Sequence, residues 1–235
     1  MITIENLTFW YSKQNRIFDK LSLTLEPGHI YGLLGKNGSG KTTLLKLICG
    51  LAFPKSGNVS IGGRIPAKRE SGFLTNIFLV PEEVSVPALT PAKFAAIYSG
   101  FYPAFDHAQF SEYLVKFEVI PDQNLSGMSH GQVKKGLIAF ALATNTRYLF
   151  LDEPTSGLDI PSKAAFRSIL ASCLTEQKTI ILSTHMVRDL EAMIDSVIII
   201  EDHRIILNPL VDQNLESFFT QSINIPGKLS YFFEQ

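Results

Sequence analysis

The chain is short of the residues that mark secreted, disulfide-bound or membrane-spanning proteins. It has two cysteines, Cys49 and Cys173, in 235 residues. Both fall in apolar, helix-like segments without metal-ligand spacing, so they read as buried reduced thiols in a reducing compartment. No run approaches the roughly 18 apolar residues that a membrane span needs. The start, MITIENLTFWY, lacks the basic-then-apolar order of a secretory leader, and the chain is expected to be soluble when made. Excess basic charge is also absent, since 21 Lys and Arg face 22 Asp and Glu for a formal net charge of -1. Such a balance gives no field able to neutralise a row of phosphates, which argues against DNA or RNA as a partner. No fixed-period repeat, low-complexity tract or long charge block is visible, so a solenoid or a disordered tail is not supported.

What the chain does have is 46% hydrophobic residues, enough for one good-sized core with a small satellite. Residues 2 to 34 read as strands: ITIENLTFWY, then LSLTL in strict alternation, the turn Glu26-Pro27-Gly28, and IYGLL. TTLLKLICGL then has the apolar density of a helix that closes near Gly50 and Pro54. Between residues 87 and 145 the pattern becomes helix after helix. Phe94, Ile97, Tyr98 and Phe101 take i, i+3, i+4, i+7 spacing behind Thr90 as N-cap and Pro91 at the first helical position. Phe110, Tyr113, Leu114 and Phe117 repeat it behind Asp106, with Gln109 placed for a capping box. These stripes are expected to be core. Strands return at YLFLD, TIILST, VIII and RIIL, with a helix marked by Phe166, Ile169, Leu170 and Cys173 between the first two. Alternating strands and helices predict an α/β fold with a mainly parallel sheet covered on both faces. No motif is legible in the tail from 211 to 235.

The stretch Gly35-Lys36-Asn37-Gly38-Ser39-Gly40-Lys41-Thr42 fits G-x-x-x-x-G-K-[ST], after an apolar strand and before a helix. In that context successive backbone N–H groups form a nest at a helix N-terminus, which binds phosphate oxygens. Lys41 can bridge the terminal phosphates and the Thr42 hydroxyl can ligate Mg²⁺, so a nucleoside triphosphate is the expected ligand. RYLFLDEP puts Asp152 and Glu153 at the end of an apolar strand, where open α/β sheets bind their ligands. Asp152 becomes the natural holder of Mg²⁺ and Glu153 the candidate to polarise the attacking water. His185 ends the next apolar strand, TIILSTH, where adjoining strands would bring it to Glu153 and the γ-phosphate. A kinase or GTPase is the competing class, but no Asn-Lys-x-Asp is present to read guanine.

The order of the P-loop, Met128-Ser129-His130-Gly131-Gln132, Asp152-Glu153, Ser156-Gly157-Leu158-Asp159 and His185 resembles the ATP-binding subunit of ABC transporters, over roughly residues 1 to 210. LVPEE and FYPAFD place it near the compact, ABC-2-like exporter branch. The resemblance implies a RecA-like P-loop NTPase core with an N-terminal antiparallel β subdomain and a helical subdomain inserted at about 87 to 145. It implies an ATPase that uses ATP and Mg²⁺, with Tyr11 against adenine and Gly35 to Thr42, with Thr43, around the phosphates. Glu82 stands where the family carries glutamine, as a further Mg²⁺ ligand and switch group. Ser129, Gly131, Gln132 and Asp159 would face nucleotide held by a second copy or a related subunit, so that ATP closes a dimer. The partners implied are that second subunit and an integral membrane permease, with the chain at the cytoplasmic face of the membrane. The alternative is a soluble, ATP-switched scaffold without a permease. Cargo and direction of transport are not legible.

Overall fold

The computed structural model describes residues 1–185, 193–201 and 203–209. β1 (Ile2–Ser12) and β2 (Asn15–Leu25) form an antiparallel hairpin, and β3 (His29–Leu34) runs into the glycine loop ahead of α1 (Lys41–Ile48). β4 (Ser56–Ile61) returns to pair antiparallel with β1, and the short α2 (Ser71–Leu74) leads to β5 (Ile77–Val80). Three helices follow, α3 (Pro91–Tyr98), α4 (His107–Lys116) and α5 (His130–Ala143). The chain then alternates through β6 (Tyr148–Asp152), α6 (Ile160–Cys173) and β7 (Thr179–Thr184), and ends its described part in β8 (Ser196–Glu201) and β9 (Arg204–Pro209).

A three-stranded sheet of order β2-β1-β4 faces a six-stranded sheet of order β5-β6-β7-β3-β8-β9. The larger sheet is parallel except for β9, which pairs antiparallel with β8. Its central strands are buried at almost every position because both faces are covered, and the period of two divides their apolar side chains between two cores. Leu149, Leu151, Ile180, Leu182, Val197 and Ile199 point into a core closed by α4, α5 and α6. Phe150, Ile181, Ile198 and Ile200 point into a second core with α1 and the antiparallel sheet. Leu44, Leu45, Leu47 and Ile48 of α1 are each at most 1% exposed, so the helix is sandwiched between the sheets. Each such side chain contributes about 1.5–3 kcal/mol of burial, which pins the start of α1, and with it the glycine loop, against the sheet.

The caps follow the sequence closely. Thr90 accepts from Lys93 N at 3.2 Å with Pro91 behind it, and Gly50 stands just past α1 at φ 66. Asp106 caps α4 by accepting from Ala108 N and Gln109 N, but Gln109 does not complete a box. Its Oε1 instead accepts from Asn145 Nδ2 at 3.0 Å, a tertiary partner that outcompetes the local one. The reciprocal capping box lies at α5, between Ser129 and Gln132. The first helical stripe also divides. Phe94 and Tyr98 pack on the core, but Ile97 is 55% and Phe101 64% exposed, because α3 ends at Tyr98 and a 3-10 turn through Gly100 breaks the helical period. β4 and β5 escape the sequence reading. The aromatic tail from 211 to 235 lies outside the described residues.

Candidate active site

The carboxyl ends of β3, β6 and β7 converge because the strands are parallel and in register, with Asp152 opposite Ser183 and Leu34 opposite Thr184. Beyond them lies a cleft of about 360 Å³, lined by Tyr11, Ile17, the glycine loop with Lys41 to Thr43, Glu82, Asp152, Glu153 and His185. Gly38 takes φ 80 with open space where a Cβ would stand, and Gly40 takes φ 109 with Ile17 and Phe18 within 3 Å of that position. The first leaves the cradle unobstructed. The second lets the loop lie directly on the antiparallel sheet.

Lys41 is only 7% exposed, and its Nζ donates to Gly35 O at 2.7 Å and lies 3.7 Å from Glu153 Oε1. Burial pushes its ammonium below the usual lysine value, opposed by the carboxylates of Glu153, Asp152 and Glu82. Thr42 Oγ1 donates to Asp152 Oδ2 at 2.7 Å, while Ser183 Oγ donates to the other carboxylate oxygen. Glu153 Oε1 lies 2.9 Å from His185 Nδ1, and Thr184 Oγ1 donates to Oε2 at 3.3 Å. Glu153 takes φ 47, in the left-handed region that an L side chain occupies at a cost of ~1–3 kcal/mol. Two hydrogen bonds from its N–H, to Ser183 O and Ser183 Oγ, both at 3.1 Å, hold it there.

A hydroxyl paired with a carboxylate suits Mg²⁺, which keeps several waters and binds through one or two protein oxygens plus phosphate. The buried Ser39 Oγ, which has no partner, leaves a hydroxyl of the glycine loop unused. The residues therefore fit a magnesium-bound triphosphate. At the cleft mouth the Tyr11 ring is 63% exposed, edge-on to Phe9, with its hydroxyl 3.3 Å from Thr43 Oγ1. It is free to present a face to a planar base.

Ser129, Gln132 and Asp159 do not line this cleft. Ser129 caps α5, accepting from Gln132 N at 3.3 Å, and Gln132 Oε1 accepts from Ser129 N at 3.1 Å. Asp159 caps α6 by accepting from Ser162 N at 2.8 Å. Gly131 lines a second recess of about 560 Å³ with His130, Lys134, Ser156 and Gly157, and Glu82 borders both. The sequence reading passed over Ile17, Lys134 and Ser183. Ser183 had a signal, a hydroxyl inside an apolar strand one step from its end. Lys134 had none, because a helix lysine ordinarily reads as solvated.

A parallel sheet whose strand ends unite a phosphate-binding loop, an Asp-Glu pair and a histidine defines a P-loop nucleoside triphosphatase. Residues 18–156 match the family model described as ABC transporter. The ABC transporter ATP-binding protein NatA of Bacillus subtilis is 31% identical over 234 residues, covering 95% of each chain. A Nod factor export ATP-binding protein I of Burkholderia orbicola is 32% identical over 196 residues, 80% of this chain and 64% of that protein. An ATP-binding subunit of an ABC transporter superposes with TM-score 0.82 at 23% identity, covering 94% of this chain and 93% of the other. A dimeric ATP-binding cassette in a post-hydrolysis state, bound to ADP and Pi, superposes with TM-score 0.78 at 21% identity, covering 91% and 100%. The chain belongs to the ABC transporter family and is an ATP-binding, ATP-hydrolysing subunit of that family. Among the described residues no helix is long and apolar enough to cross a membrane.

Proposed function

We propose that the chain is the energy-coupling ATPase of an exporter, with two copies closing over ATP and a separate permease responding to that closure at the cytoplasmic face of the membrane. The observation that carries this reading is the Glu153 carboxylate held between His185 and Lys41, one residue from the Thr42-Asp152 pair. In the mechanism, the loop from Gly35 to Thr43 binds the phosphates through its N–H groups and Lys41. Thr42 and Asp152, with Glu82 at the rim, would hold Mg²⁺, which would supply charge neutralisation to the phosphates. Glu153 accepts a proton from the attacking water, and His185 orients that carboxylate and reaches the terminal phosphate. Tyr11 stacks on adenine.

The second recess supports the dimer. Ser129 and the first turn of α5 offer a capped helix start at the surface, where a partner's triphosphate would find N–H donors and a positive dipole end. A groove of about 460 Å³ lined by Leu51, Arg69, Leu74, Phe101 and Tyr102 offers the apolar surface that a permease segment would cover. The export direction rests on the names of relatives such as the Nod factor export protein. The test is Glu153→Gln. It should bind ATP, lose turnover by ~10²-fold or more, and shift from monomer to dimer on ATP addition in light scattering. Undiminished turnover removes Glu153 from this role, and a monomer at saturating ATP removes the paired mechanism.

A further inference from the structure

Lys134 sits one turn inside α5 and is 6% exposed, an unusual place for an ammonium. Its Nζ donates to the carbonyl of Glu153 and, at 3.3 Å, to the carbonyl of Ser156. The same Glu153 carbonyl accepts from Ser156 N at 3.2 Å, so the lysine caps the turn that follows the left-handed Glu153. The first turn of α5 lies directly on this turn: a Cβ on Gly131 would stand 2.9 Å from Gly157 O. Burial depresses the Lys134 ammonium, and the carboxylates of Glu82, Glu153 and Asp152 act against that loss. The cation is thus held by two carbonyls and by the field of three acids rather than by one ion pair.

We propose that Lys134 is a positioning residue for hydrolysis, tying the helix start at Ser129 to the backbone turn that aims the Glu153 carboxylate. This rests on the reading of Glu153 as the group that activates water. Because Lys134 and Ser129 belong to the same rigid start of α5, a shift there moves the ammonium from which both carbonyls accept and reaches Glu153 through one side chain. Hydrogen bonds from a charged donor are about twice as strong as neutral ones, so Gln would hold the turn more weakly and Met would remove both bonds, leaving Glu153 O only its bond from Ser156 N.

The experiment compares Lys134→Met, Lys134→Gln and Lys134→Arg with the unmodified chain. Lys134→Met and Lys134→Gln should each lower kcat by about tenfold or more, the scale of outer-shell partners. KM and the affinity for a non-hydrolysable ATP analogue should stay within about twofold. Lys134→Arg, which keeps the charge, should recover most of the turnover. In a Glu153→Gln background, Lys134→Met should add no further loss, because the lysine acts through Glu153. Turnover of Lys134→Met within about twofold of the unmodified chain overturns the proposal, as does an added full loss in the Glu153→Gln background. Loss of folding or of nucleotide affinity in both neutral variants makes the role structural and overturns it too. Normal turnover in Glu153→Gln alone would instead defeat the assignment of Glu153, which is a separate result.

Discussion

At the scale of single residues, the site works by placing charge where water cannot screen it. Lys41 is surrounded by Gly35 O, Lys36 O and the Glu153 carboxylate, and keeps its place through them. A triphosphate would meet a cation already desolvated, so the interaction is stronger than at a surface lysine. Lys41→Ala should therefore weaken ATP binding by at least about tenfold in a titration, as expected for loss of a charge-assisted partner, while thermal stability changes little or rises. Unchanged affinity would show that the N–H nest alone suffices. The P-loop, Asp152, Glu153 and His185 were legible in the sequence because each stands where an apolar strand stops. The φ of Glu153 and Lys134 beneath the turn were not, since both depend on neighbours brought together only by the tertiary fold, and Ser183 behind Asp152 showed only as a hydroxyl near a strand end.

At the scale of elements, caps and strands differ in how much they reveal locally. β6 and β7 are built on the apolar runs YLFL and IIL and could be read residue for residue, whereas β4, SGNVSI, is broken by polar residues and β5 spans only Ile77–Val80. Those two strands exist because β1 and β6 offer edges to pair with. Asp106 satisfies two N–H groups of α4, so Asp106→Ala should cost about 1 kcal/mol, a fall of roughly 2–4 °C in Tm at this chain length, read by calorimetry. Ser129 separates two roles. Its hydroxyl makes a single long cap bond within the chain, and Gln132 Oε1 still accepts from the backbone N–H in an alanine variant. Ser129→Ala should then lower stability by no more than about 1 kcal/mol. In the Glu153→Gln background it should weaken ATP-driven dimerisation far more, measured by scattering across an ATP titration. Equal, small effects on both would mean that Ser129 serves only as a cap.

At the scale of the whole molecule, the arrangement depends on joining the helices α3 to α5 to the strand ends that carry Asp152 and Glu153. The joint is aromatic. Phe140, on α5 and 1% exposed, has Phe78, Phe94, Tyr102, Phe105 and Phe110 rings with centroids between 5.0 and 6.1 Å from its own. These come from β5, α3, α4 and the segments between them, so one side chain links three helices to the sheet edge. The sequence showed stripes of aromatics but not that they meet on one residue, because i, i+4 spacing gives a face and not its partner. Phe140→Ala should cost about 3–5 kcal/mol from lost burial and the remaining cavity. It should also loosen α5 on the sheet, and with it the hold of Lys134 on Glu153. The expected outcome is therefore a large fall in the urea midpoint together with a drop in kcat at temperatures where the variant is still folded. ATP affinity, set by α1 and the glycine loop on the opposite face of the sheet, should change little. If stability falls while kcat per folded molecule is unchanged, α5 is packed but not coupled to the catalytic carboxylate.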